Sequence, residues 1–503
     1  MFLSRQVTNI SAILNKQITR SVAVNTANTN EDNLKSWREI PGPSSIPILG
    51  QLHHFLPGGS LSKLKNPLPE TMYKQYGPIS RFDGLFGAPP FILLYDAEAS
   101  SQILRSENWI PIRPGVKSMA YFREKIFRQH DPEAPVGLVT DQGESWRKFR
   151  TIANPIMLQP KNIKLYSNII SEVADDMIIR MKSKRNEKNM IDGKFDEEMN
   201  LWGLETIGVV ALGGRVNCLD PNLPKDSPAK KLIESVHNIF KSVDALDFKP
   251  SMWRYISTPA FRRANKYYVE QVEISKYFIQ KAIKELKAKE KSPTEQKSVL
   301  EKLLEIDEKI AVTMACDMLF AGVDTAANTM MATFFLLANN QEKQDKLREE
   351  IMSGSQKRPY LKACLKESMR IMPVAPGNMR QTTKEYNILG YRIPKDMYVT
   401  FLHQTLSLME EHYPKPKEYI PERWIVDKDD PLYHGNAHPF AHSPFGFGVR
   451  SCIGRRIAEL ETETFLAKVI ENFKIEWFGP PIQVKQTSLN YIVGPFNFIF
   501  KDV

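Results

Sequence analysis

The sequence predicts a mainly α-helical protein with a small β-rich subdomain, on three observations. Residues 310–337 are apolar on nearly every face, as in a helix buried through a core. Residues 160–291 are charged and helix-rich, with apolar periodicity around 201–212 and 232–240. Short segments around 387–393 and 397–402, broken by Gly390 and Pro394, have the size of strands in a small sheet, as does 91–95, bounded by prolines and Asp96.

The chain has 503 residues, of which 42% are hydrophobic and 25% charged, an ordinary globular balance. No long linker interrupts it, and residues 31–503 are expected to fold as one domain. Its entry is stiffened by Pro41, Pro43 and Pro47 across 40–47. A net charge of +10 favours acidic partners or anionic membrane surfaces. No helix-turn-helix spacing, zinc-finger spacing or basic–aromatic ladder points to nucleic acid. The four cysteines (Cys218, Cys316, Cys364 and Cys452) are far apart, which argues against a disulfide or zinc framework and fits a reducing compartment.

Residues 1–30 carry Arg5, Lys16 and Arg20 and no acid before Glu31. Leu3, Val7, Ile10, Leu14 and Ile18 fall on one helical face, the basic residues opposite. That pattern predicts a mitochondrial transit peptide. It is too polar for a membrane span of about 20 apolar residues. The later apolar run at 314–337 contains Asp317 and Asp324, so peripheral membrane contact is expected and spanning is not.

Residues 444–456 hold a lone cysteine among glycines: Gly446, Gly448 and Gly454 surround Cys452, with Arg450 two residues before it. The glycines allow positive φ and close approach to the backbone. Arg450 and an expected helix N-terminus favour a thiolate. A thiolate without a second cysteine or histidine suits the axial position of a haem iron better than zinc. The competing reading is a buried cysteine in a tight turn. Trp146 and Arg150 lie one helical turn apart, which suits either one anion or a surface salt-bridge helix. Asp324 and Thr325 follow the small pair Ala321–Gly322 inside the apolar helix. A small residue there lets a ligand approach, and the acid–hydroxyl pair can deliver protons; a kink with a satisfied Asp is the alternative.

Phe445, Gly448, Arg450, Cys452 and Gly454 fill Phe-x-x-Gly-x-Arg-x-Cys-x-Gly. In this the chain resembles the cytochrome P-450 haem-thiolate monooxygenases, from about residue 40 to its end. The resemblance implies the P-450 fold, with haem b between two long helices and Cys452 as axial ligand. Phe445 and Gly448 would shape the thiolate loop, and Trp146, Arg150, Arg380 and Arg450 would bind the propionates. Asp324 and Thr325 would manage protons for dioxygen activation; Ala326 follows where the family commonly has Thr or Ser. Glu367 and Arg370 match Glu-x-x-Arg and would join Arg423 of the Pro421-Glu422-Arg423-Trp424 segment in a structural triad.

Lys362, Lys366, Arg455 and Arg456 match the basic positions by which the mitochondrial branch binds an acidic [2Fe–2S] ferredoxin, itself reduced by an NADPH-dependent reductase. Left to themselves, such charges read as a solvated face. The resemblance, most like arthropod members, implies an apolar xenobiotic or steroid-like substrate and a place on the matrix side of the inner membrane. Between Glu350 and Tyr360 the connector is about fifteen to twenty residues shorter than in relatives, more than ordinary loop variation. A haem-binding protein without turnover, and a haem-thiolate isomerase or lyase, stay open as alternatives.

Overall fold

The computed structural model describes residues 34–503 apart from 48, 65–66, 85–88, 192–194, 250 and 289–295. The expected transit peptide at 1–30 lies outside the described residues.

Seven helices position the site: α1 (Gly143–Met157), α2 (Phe195–Leu212), α3 (Pro228–Asp247), α4 (Pro259–Ala288), α5 (Glu308–Ala338), α6 (Pro359–Ile371) and α7 (Arg455–Asn472). The apolar run becomes α5, an unbroken helix started by Asp307, whose side chain accepts from Ile310 N. Length and apolarity alone would let α5 cross a bilayer. Here it is the core helix, and its two acids are held inside: Asp317 pairs with Arg123 at 2.6 Å, and Asp324 takes a phenol from Tyr491.

Glycines set how closely α2 and α5 pack. A methyl at Gly203 would sit 2.8 Å from the Val323 carbonyl oxygen, and one at Gly322 would sit 2.5 Å from the Ile207 side chain. Of the small pair Ala321–Gly322, Gly322 therefore serves helix packing. Its missing side chain is filled by Ile207, and Ala321 beside it is the exposed small residue.

The largest sheet has four strands: β1 (Ile79–Phe82), β2 (Phe91–Leu94), β3 (Asn378–Gln381) and β4 (Tyr398–Phe401), in the order β1-β2-β4-β3. Strand β4 runs parallel to β2, with Phe91 opposite Tyr398, and antiparallel to β3, with Arg380 opposite Val399. The proline-rich entry docks on its edge: Arg81 N donates to Pro41 O at 2.8 Å. Gly42 lies so close to the Arg81 carbonyl that no side chain fits. Near the C-terminus, β5 (Asn490–Val493) crosses to the core helix, where Ile492 N donates to Asn328 Oδ1 at 2.8 Å.

The short connector closes without disturbing the helices it joins. Arg358 takes a left-handed conformation (φ 42°) and Pro359 opens α6. The Glu350 carboxylate reaches across to cap α6, accepting from Tyr360 N at 2.7 Å and Leu361 N at 2.8 Å.

Candidate haem-thiolate site

The thiol loop is built by backbone. Gly446 and Gly448 adopt φ of 71° and 72°, which a side chain would strain. Gly454 makes no use of that freedom: its φ is −84°, and it serves as the N-cap of α7. Cys452 N donates to Phe445 O at 2.9 Å, closing the loop, while the Phe445 ring lies 5.3 Å from the Arg455 guanidinium.

Cys218, Cys316 and Cys364 are buried; Cys452 is exposed. The protein packed around it still pushes the thiol upward. The Gly454 N–H and the charges of Arg150, Arg113 and Arg455 oppose that shift. Arg450, expected to favour the thiolate, is engaged elsewhere. Its guanidinium stacks 4.1 Å from the Trp146 ring centre and donates to Asp141 O at 2.7 Å.

Beside the thiol loop, four guanidiniums gather. Arg150, from α1, donates to Ser451 O at 2.9 Å. Arg380, from β3, donates to Phe447 O at 3.3 Å and pairs with Glu107 at 2.8 Å. Arg450 sits between Trp146 and α1's leading loop. Arg113, which no local pattern singles out, joins them and donates to Val139 O at 3.1 Å. Burial lowers all four, and repulsion from the neighbouring arginines adds to it for Arg113 and Arg450; Arg150 and Arg113 fall to about 10 and Arg450 to about 8. A guanidinium keeps its proton in proteins, so these shifts express the cost of burying the charges.

Nε and Nη1 of Arg450 and Nε of Arg150 are buried without a hydrogen-bond partner. Glu107 pairs with Arg380 in this group, and the charges of Asp141 and Asp317 act on Arg450 and Arg113. The donor set therefore calls for further anionic oxygen beside a single sulfur. A haem offers both: two propionates for the guanidiniums and an iron for the thiol. The residues present fit that group.

The Cytochrome P450 family model matches residues 40–493. The chain belongs to the cytochrome P450 family. This P450 is 36% identical to Cytochrome P450 CYP12A2 of Musca domestica, over 97% of its own length and 95% of that chain's. It is 34% identical to "Probable cytochrome P450 12a5, mitochondrial" of Drosophila melanogaster, over 93% and 91%. It is 32% identical to "Cytochrome P450 12b1, mitochondrial" of Drosophila acanthoptera, over 92% and 88%. The protein is an oxidoreductase of the monooxygenase family, and its cofactor is haem.

On α5, Ala321 is exposed and Thr325 half-buried, and the Thr325 hydroxyl donates to Ala321 O at 2.8 Å. Asp324, the next residue round the helix, is buried and turned away from that face. Its Oδ2 accepts from Tyr491 OH at 3.1 Å and lies 3.8 Å from His237 Nδ1; its Oδ1 has no partner. Sequence reasoning missed both His237, on α3, and Tyr491, on β5. Only the fold brings them to α5.

Glu367, Arg370 and Arg423 meet in a fully buried network. Arg370 grips Glu367 bidentately at 2.7 and 2.9 Å, and Arg423 Nε adds a bond at 3.0 Å. Trp424 Nε1 and Ile420 N complete the carboxylate's shell. Outside it, Lys362, Lys366, Arg455 and Arg456 are all exposed, on α6 and α7. They are not a bare cationic field. Lys362 lies 3.8 Å from Glu463, Arg455 pairs with Glu459 at 2.8 Å, and Lys366 lies 5.6 Å from the centre of the Trp424 ring.

Proposed function

We propose that this P450 is a mitochondrial monooxygenase that inserts one atom of dioxygen into a C–H bond of an apolar small molecule, with electrons from a [2Fe–2S] ferredoxin. The other oxygen atom leaves as water, consuming two electrons and two protons. Cys452 would be the axial ligand, and Arg113, Arg150, Arg380 and Arg450, with Trp146 supporting the last, would hold the propionates. When bound, the haem supplies dioxygen binding and O–O cleavage, which a thiolate ligand favours. The carrying observation is the group of four buried guanidiniums beside the Cys452 loop, of which Arg113 and Arg150 act on the thiol itself. Asp324 would receive protons from the protein side and pass them toward Thr325, whose hydroxyl lies beside exposed Ala321 on α5.

Location and partner rest on separate support. Several relatives are named mitochondrial, and residues 1–30 have transit-peptide character. Lys362, Lys366, Arg455 and Arg456 would steer an acidic ferredoxin to the thiol side of the haem, with an NADPH-dependent reductase behind it. Exposed Phe248, Met252, Tyr255 and Ile256 stand among exposed Lys249, Arg254, Arg262 and Arg263, a composition suited to the anionic surface of the inner membrane.

The test begins with spectroscopy. Reduced protein with carbon monoxide should give the absorption band of thiolate-ligated haem, and Cys452→His should abolish it. The band surviving in that variant would sink the ligand assignment. Dioxygen and NADPH consumption with ferredoxin and reductase, matched to hydroxylated product, then separates a monooxygenase from an isomerase, which consumes neither.

A further inference from the structure

We propose that His237 loads protons onto Asp324 from the solvent side, with Tyr491 holding the carboxylate in place to receive them. The inference rests on the monooxygenase reading, since only dioxygen reduction at this site consumes protons. Four observations carry it. Asp324 is buried, yet Oδ1 has no hydrogen-bond partner, an expensive state for an acid that only packs. Oδ2 lies 3.8 Å from His237 Nδ1, within reach of a hydrogen bond after a small side-chain rotation or through one water. The His237 side chain is 39% exposed while that of Asp324 is 2% exposed, so the pair spans the boundary between water and core. The imidazole also meets the Tyr491 ring edge-on, at 5.7 Å and 89°, which fixes its orientation.

The groups facing this pair come from four elements. Helix α5 supplies Asp324 and β5 supplies Tyr491. Helix α2 supplies Asp196, on which the His237 charge acts. From α3 itself Asp244 acts on Tyr491, and it is paired with Lys249 at 2.5 Å. The anion beside it and burial both push the Tyr491 phenol upward, so it stays a donor and takes no part as a base. Imidazole is the side chain that changes charge between about pH 5 and 8, the range in which a loading group works. The step balances simply: imidazolium gives its proton to Asp324, the carboxylic acid passes it on toward Thr325, and the imidazole regains a proton from water. His237 thus acts through Asp324 as a positioning and proton-loading residue.

The experiment uses the full-length holoprotein, with intact haem checked by the carbon monoxide band. Histidine ring resonances, assigned through His237→Gln, are titrated in the diamagnetic reduced carbon monoxide form. In Asp324→Asn the His237 ring resonances should move while those of the other histidines stay in place, because the imidazole loses the carboxylate 3.8 Å away. Unmoved His237 resonances overturn the coupling. In turnover with ferredoxin, His237→Gln should lower product per NADPH about tenfold and flatten the pH profile between 6 and 8. Substrate affinity by spectral titration should stay within about twofold, and turnover driven by added peroxide, which brings its own protons, should be unaffected.

Loss of substrate affinity with an unchanged pH profile would make His237 a pocket residue and overturn the proposal. Wild-type protein that binds haem but forms no product under any condition would overturn the monooxygenase reading itself. Product from wild type with an unchanged His237→Gln overturns the relay alone.

Discussion

Glu367 on α6 and Asp324 on α5 are both buried carboxylates, but their surroundings differ in kind. Glu367 accepts from Arg370 twice, from Arg423, from Trp424 and from the Ile420 backbone. The arginines also donate to the carbonyls of Ser407, Pro416, Glu418 and Lys415, and only Arg423 Nη1 of the two guanidiniums is left without a partner. Asp324 has one phenol, one imidazole nearby, and an open oxygen. A saturated carboxylate has no lone pair left with which to take a proton, and its partners tie together loops far apart in sequence. An under-satisfied one costs stability and can exchange protons. On this reading Glu367 holds the fold, and Asp324 serves the reaction.

The comparison breaks most directly at Glu367. Glu367→Gln leaves Arg370 and Arg423 buried without a counter-charge, a loss of about 3–5 kcal/mol. Most of that variant should fail to fold or retain haem, seen as a low haem-to-protein ratio and a lowered denaturant midpoint. Asp324→Asn, by contrast, should stay within about 1 kcal/mol of wild-type stability, because one weak partner is lost and a lone oxygen is relieved. Equal losses in the two variants would erase the distinction.

A third buried acid sharpens it. Glu461, on α7, has an Oε2 with no hydrogen-bond partner, and burial pushes its carboxyl up to about 8. Because the folded-state value lies above the unfolded one of about 4.3, the protonated form is favoured by folding. Its contribution is full below the unfolded value and is lost as pH rises through about 8. Wild type should therefore lose stability relative to Glu461→Gln at up to about 1.4 kcal/mol per pH unit, or about 3.5 kcal/mol between pH 5 and 8. Chemical denaturation at the two pH values checks it; parallel curves would mean that an undescribed partner ionises Glu461.

What was legible in the sequence follows how local each feature is. The thiol loop is encoded in ten consecutive residues, because glycine conformations and a single sulfur leave local spacing as their signature. The α5 core helix and the β2 and β4 strands show in periodicity and breaks for the same reason, whereas β3 was not expected. Arg113, Glu107, His237 and Tyr491 show nothing local, since each matters only through what tertiary packing brings to it. Glycine roles were only half legible. Gly322 and Gly203 are fixed by the close approach of α2 and α5, a property of the pair of helices that neither segment carries alone.

The smallest expected effect concerns Tyr491, and it decides how the work at Asp324 is divided. If Tyr491 merely holds the carboxylate, Tyr491→Phe removes one hydrogen bond and leaves a ring of nearly the same shape. The cost should be about 1 kcal/mol of stability, and turnover should fall only about two- to fivefold as Asp324 wanders. The phenol is pushed up by burial and by Asp324, so it cannot become a base at working pH, and the pH profile should keep its wild-type form. His237→Gln should instead flatten that profile. A Tyr491→Phe variant that flattens it too, with Asp324 still fixed in its structure, would place the phenol inside the proton path and remove His237's separate role.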